Sequence, residues 1–133
     1  MSTIRDYKDL VGWQKSFRLV LDLYRLTAGF PTEERFGLTS QLRRAGVSIP
    51  ANIAEGFGRS RKADYMRFLD IACGSANEVE THLLIARELG YADASKLAVA
   101  INRTVEVRKI VKGLIRNVGR ARDASLRPDA ASA

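Results

Sequence analysis

Six polar residues recur at about one-turn intervals near the middle of the chain: Gln41, Arg44, Ser48, Asn52, Glu55 and Arg59, at steps of 3, 4, 4, 3 and 4. On a helix these steps gather the side chains into a stripe about 80° wide. A carboxylate at Glu55 set among an amide and guanidiniums is a candidate binding or catalytic group. The structural alternative has the better physical support. A lone carboxylate is no acid/base pair, and Arg44, Asn52 and Glu55 at these spacings can satisfy one another at a half-buried helix or subunit interface.

The single histidine, His82, follows Glu78 by one helical turn. Di-iron bundles need two Glu-x-x-His motifs and two further glutamates, and the spacing here is Glu-x-x-x-His, so a partly exposed, hydrogen-bonded histidine is expected in place of a metal ligand. The chain has no GxGxxG, GxxxxGK[ST], GxSxG or HExxH motif, and no residue set calls for a cofactor. The expectation is a protein that is not an enzyme.

Basic residues offer a different chemistry. Lys109, Lys112, Arg116 and Arg120 fall within about 80° of one helical face, and Arg59, Arg61 and Lys62 crowd a break between two apolar segments. Cations beside a helix N-terminus suit phosphate oxygens, because unpaired amides and the helix dipole add to the side-chain charge. A solvated charged face is the competing reading. No aromatic residue interleaves the α-helical basic stripe, so base stacking is not indicated. The net charge is +7, with 13 Lys/Arg against 12 Asp/Glu in residues 1–93 and 9 against 3 in residues 94–133. Basicity concentrated towards the C-terminus suggests a polyanion partner, RNA or DNA, or an acidic protein surface.

The elements that position these groups follow from three turn-like clusters, at Gly29 to Thr32, Phe57 to Ser60 and Gly90 to Asp93, which divide the chain into four segments of helical periodicity. The first helix is expected from about Leu10 to Thr27 with Trp13, Phe17, Val20, Leu21 and Tyr24 on one face. The second is expected from near Thr32, an N-cap with Glu33 and Glu34 in the first turn, with a core stripe of Leu38, Leu42, Ala45, Ile49, Ile53 and Phe57. The third opens after a Ser60 cap and repeats Tyr65, Phe68, Ala72, Ala76, Val79, Leu83 and Ala86. The fourth begins after Asp93 with Leu97, Ile101, Val111, Leu114 and Val118 inside, interrupted by Thr104 and Arg108.

Long helices joined by short loops fold back on one another, so the predicted fold is all-α, an up-down-up-down antiparallel four-helix bundle over residues 1–123, in which the loop between the second and third helices lies at the same end as the C-terminus of the fourth and the two basic sets can merge. Residues 124–133 have almost nothing to bury and are expected to be a disordered tail. Pro50 should bend the second helix, and Gly46 stands where the proline ring would clash. The run from Ala72 through Gly74 and Ser75 to Ala76 holds five small side chains, so something must pack closely there: the neighbouring helix or another subunit. Apolar positions outside the seam, Val47, Ala54, Ile71 and Ile85, also call for a second surface.

The longest uncharged stretch, Ala45 to Ala54, is ten residues, too short to span a membrane. With one cysteine, Cys73, no internal disulfide or CxxC pair can form, and no export signal is recognisable; a cytoplasmic protein is expected.

The segment from Leu38 to Gly56, LTSQLRRAGVSIPANIAEG, closely resembles the signature of the 23S rRNA-intervening sequence proteins. Flanking matches are Tyr7 to Leu10 with Trp13 to Lys15, Phe30 and Pro31 with Glu34, and Phe68 to Glu78. The resemblance spans roughly residues 7–118. It implies a non-enzymatic four-helix bundle assembling as a homopentamer, similar to the accessory variability protein of diversity-generating retroelements, a basic pentameric barrel thought to bind nucleic acid and a reverse transcriptase. Ser48, Pro50, Asn52, Glu55 and Gly56 match the signature and are assigned to architecture or assembly. Gly46 departs from it, since the family usually has Ala there.

Overall fold

A computed structural model describes residues 3–121. Four helices make up most of it: α1 at Val11–Thr27, α2 at Leu38–Phe57, α3 at Lys62–Glu88 and α4 at Ala94–Arg120. Single 3-10 turns at Tyr7–Asp9 and Thr32–Glu34 precede α1 and α2, and there is no strand among the described residues. The expected domain end at 123 and the tail at 124–133 lie outside the described residues.

Contacts between helices fix their directions. Gly12 near the start of α1 faces Ile53 near the end of α2, while Leu23 near the end of α1 meets Gly46. On the next pair Gly56 meets Tyr65 and Phe68, and Ser48 bonds Ser75. Gly119 at the end of α4 lies against Met66 at the start of α3. Arg103 and Glu106 of α4 pair with Asp22 and Lys15 of α1. Each helix therefore runs opposite to the next, and the fourth closes back on the first.

The apolar periodicity of α2, α3 and α4 points into this bundle for most of the expected stripes, while Leu38, Phe57, Phe68, Ile101 and Leu114 are only half-buried and Leu69 takes the interior place beside Phe68. Leu42, Ala45, Ile49 and Ile53 of α2, Tyr65, Ala72, Ala76, Val79, Leu83 and Ala86 of α3, and Leu97, Val111 and Val118 of α4 are buried. Thr104, a polar interruption, is fully buried and returns its hydroxyl to the carbonyl of Ala100.

The expected face of α1 is corrected. Its buried residues are Gly12, Ser16, Leu19, Leu23 and Thr27, whereas Phe17 is 45% and Tyr24 43% exposed. The cause is steric. A Cβ at Gly12 would be in ordinary contact with Ile110 at 3.4 Å, and Ser16 is fully buried, so this face of α1 has room for small side chains and none for aromatic rings. The rings instead form an outer row in which Trp13 stacks on Phe17 at 5.0 Å and Arg43 lies over Tyr24.

Two expected helix starts are also corrected. Thr32 begins a 3-10 turn, and α2 starts at Leu38. The cap comes from Glu34, whose carboxylate accepts from the Leu38 amide at 3.0 Å and from the Tyr91 hydroxyl at 2.7 Å. Gly37 leaves the Glu34 carboxylate its place, because a Cβ there would sit 2.6 Å from it and push the capping oxygen aside. Ser60 does not cap α3; Arg61 occupies the cap position without a side-chain bond. Asp93 does cap α4, accepting from the Ser95 amide at 2.8 Å. Gly90, at φ +70°, takes the left-handed turn that ends α3, and the Tyr91 amide reaches back to the Ala86 carbonyl.

α2 continues through the buried Pro50. Gly46, one turn before it, has a further role: a Cβ there would lie 2.7 Å from Leu23, itself fully buried. Glycine at this position thus lets α1 sit close. Gly56 does the same for α3, since a Cβ would meet the Phe68 Cβ at 2.9 Å and the Tyr65 carbonyl at 3.2 Å.

Two outcomes follow. Gly56→Ala forces backbone apart and should lower the unfolding free energy by about 1–3 kcal/mol, read from the urea midpoint. Its Leu38 amide and Tyr91 hydroxyl partners hold the Glu34 carboxyl below its ordinary value of 4.5. A depressed carboxylate contributes stability above the ordinary value and loses it as pH falls through the depressed one. The Tm difference between the wild type and Glu34→Gln should therefore be largest near neutrality and shrink below pH 4.5; a difference independent of pH would contradict the clamp.

Candidate nucleic-acid interface

The polar stripe of α2 lies against α3 as an ordered seam. Asn52 donates to the Ser48 carbonyl at 2.7 Å and to its hydroxyl at 2.8 Å, and the Ser48 hydroxyl bonds that of Ser75 at 2.8 Å. One turn away, Arg44 holds Gln41 and pairs with Glu78, which also meets the His82 ring at 3.3 Å. Glu55 pairs with Arg59 at 2.9 Å.

Arg44, Asn52 and Glu55 therefore do not satisfy one another; each has a different partner. The stripe joins α2 to α3. His82 is the half-buried, hydrogen-bonded histidine expected, with its Nδ1 unpartnered. No cluster of three or more metal-ligating side chains occurs among the described residues.

The small-residue run resolves into two roles. Ala72, Cys73, Ser75 and Ala76 are buried in the bundle, which answers to the neighbouring helix. Gly74 is exposed, and a Cβ there would meet nothing within 4 Å. Burial pushes the Cys73 thiol up from its ordinary value, with smaller effects from the charges of Lys112, Asp70 and Arg108.

The basic residues occupy the other side of α3. Lys109, Lys112, Arg116 and Arg120 are all exposed, and among the described residues none of the four has an ion-pair partner. Arg108 beside them differs: it pairs with Glu80 and bonds Asn77.

The α2–α3 loop reaches this end of α4, where the Lys62 ammonium donates to the Ala121 carbonyl at 2.8 Å. The two basic sets are thus neighbours, as the topology required. They are not equivalent. Arg59 is engaged by Glu55 and lies over the Phe68 ring, and Arg61 stands 3.6 Å from Asp64. Sequence reasoning counted these cations without subtracting the acids at i−4 and i+3 that partly neutralise them.

At the opposite end, a groove of about 620 Å³ opens between the end of α1 and the start of α4. Both of its acids are engaged, with Asp22 held by Arg103 at 2.5 Å and Asp93 spent on the α4 cap, while Lys96 also lines it. No described helix is long and apolar enough to cross a membrane.

No curated protein matches the chain. Among solved structures it is similar to a protein of unknown function from the S23 ribosomal protein family of Bacteroides thetaiotaomicron, at a TM-score of 0.71 and 28% identity, covering 80% of this chain and 99% of that one. The family model described as 23S rRNA-intervening sequence protein matches residues 8–113. That match takes in α1, α2, α3 and most of α4, including the whole α2–α3 seam, and the chain belongs to the 23S rRNA-intervening sequence protein family.

Proposed function

We propose that this protein is a non-enzymatic, homo-oligomeric bundle, cytoplasmic in location, that associates with RNA through the exposed basic face of α4. The observation that carries this reading is the run of four cations on α4 with no ion-pair partner among the described residues, in a molecule whose other arginines include several engaged by carboxylates: Arg44, Arg59, Arg103 and Arg108. Charges left unpaired on a protein surface cost nothing to present to a polyanion, whereas paired ones must first give up a partner. Lys62, at the adjoining loop, extends the same face. The resemblance to the accessory variability protein of diversity-generating retroelements supports the same combination of basic surface and assembly.

Self-association is supported by apolar surface that the bundle leaves uncovered. The outer face of α1 exposes Phe17, Leu21 and Tyr24, and on α3 Ile71, Gly74 and Ile85 stand on one outward side. Val47 of α2 is exposed as well, 42%. Two unlike patches on one protomer suit head-to-tail packing, which closes into a ring when the rotation allows. Five copies is the number the resemblance supplies. A ring would also repeat the α4 cations, adding weak phosphate contacts into useful avidity.

Binding to a mixed-sequence RNA should weaken steeply with salt. Replacing Lys109, Lys112, Arg116 and Arg120 together by Gln should flatten the plot of log K against log salt by about 3 units of slope. An unchanged slope overturns the assignment. For assembly, light scattering should give a multiple of 14.7 kDa. Gly74→Leu meets no intramolecular neighbour and should keep its helicity while losing assembly, as should Phe17→Lys. A 14.7 kDa species in the unchanged protein would overturn the assembly.

A further inference from the structure

The form of nucleic acid suited to α4 can be read from how its cations are arrayed, an inference that rests on the phosphate-binding reading above. Lys109, Lys112, Arg116 and Arg120 belong to one uninterrupted helix, Ala94–Arg120. At a rise of 1.5 Å per residue the array extends about 16 Å in a nearly straight line. A rigid row of charges suits a partner whose phosphates are also held at fixed spacing, as the two strands of a duplex hold theirs. Along a duplex one negative charge recurs every 1.7 Å of axis, so about ten phosphates fall within the length of the row, about twice the number that one of its strands carries over the same rise, and they raise the local negative potential accordingly.

Flexible single strands are held differently, by stacking their bases on open aromatic faces. The rings at this end of the bundle are already covered. The guanidiniums of Arg59 and Arg67 lie over Phe68 at 4.8 and 4.6 Å. Trp13 is packed between Tyr7 and Phe17, and Phe57 packs edge-on against Tyr65. The exposed rings of Phe17 and Tyr24 belong to α1, which meets α4 at Ile110 and Val111, whereas Lys112 lies towards Cys73 of α3.

We propose that the Lys109, Lys112, Arg116 and Arg120 row takes the phosphate backbone of a double-stranded nucleic-acid segment, not a single strand. A row of cations alone reads charge and spacing, and it carries no group that selects a base or a 2′-hydroxyl.

Fluorescence anisotropy at fixed salt would compare a 20-base-pair RNA duplex, a DNA duplex of the same length and an unstructured 20-nucleotide oligouridine, probe lengths of about two helical turns. The expected result is duplex RNA bound at least about tenfold more tightly than oligouridine, duplex DNA within about threefold of duplex RNA, and both duplexes weakened at least about tenfold by the four-glutamine variant. Circular dichroism would verify that the variant keeps its helices, which the exposure of all four positions favours. Oligouridine bound as tightly as duplex, with the four cations still needed, overturns this proposal and leaves the RNA reading standing. Duplex binding that ignores the four substitutions, or a tenfold preference for duplex RNA over duplex DNA, also overturns it. If none of the three probes binds, both readings fall.

Discussion

The close seating of α2 against both of its neighbours is the constraint on which the bundle depends. At Gly46 and Gly56 the room for a methyl group is already occupied, by Leu23 on one side and by the α3 backbone and Phe68 on the other. Such proximity maximises dispersion contacts over the fully buried Leu42, Ile49 and Ile53, and leaves little tolerance for added volume. It also sets what can lie at the edges of the seam. Short polar groups, Ser48, Asn52 and Ser75, can bridge helices at this separation. The aromatic rings of α1 cannot enter, and so they line its outside.

The same economy governs the charges. Across the α2–α3 and α1–α4 edges, acids and bases interlock: Arg44 with Glu78, Arg103 with Asp22, Lys15 with Glu106. These pairs are exposed and each contributes little to stability. Their larger effect is on the electrostatic surface, where each pair neutralises a charge that would otherwise be free to act at a distance. The excess that remains is concentrated where α4 ends and where residues 94–133 carry most of the net charge. Basicity here is a matter of position more than of total.

Much of this was legible in the sequence. Leu42, Ile49 and Ile53, and Ala72, Ala76 and Val79, repeat at three and four residues, so their burial could be read from spacing. The adjacency of the Lys62 loop to the end of α4 followed from four antiparallel segments. The face of α1 was not legible, because the large side chains dominate any hydrophobic pattern while Gly12 and Ser16, which allow the close approach, contribute almost nothing to it. The Glu34 cap was hidden behind Thr32, a stronger local signal, since its recognition needed Tyr91, distant in sequence. The seam residues Ser48 and Asn52 were visible as a stripe, but their partner Ser75 could be named only once α3 was placed beside them.

Cys73 carries a consequence of a different kind. Its sulfur is buried on the side of α3 where the charges of Lys112 and Arg108 from α4 reach it, and burial keeps it protonated. The α4 row and the only thiol of the chain thus share one wall of the molecule, one outside and one within. Alkylation of that thiol can proceed only when the wall parts, so its rate is a clock for the breathing of the α3–α4 contact. A rigid polyanion laid along the outside of α4 would brace the wall and slow the clock, turning an inert core residue into an internal witness of what happens on the surface.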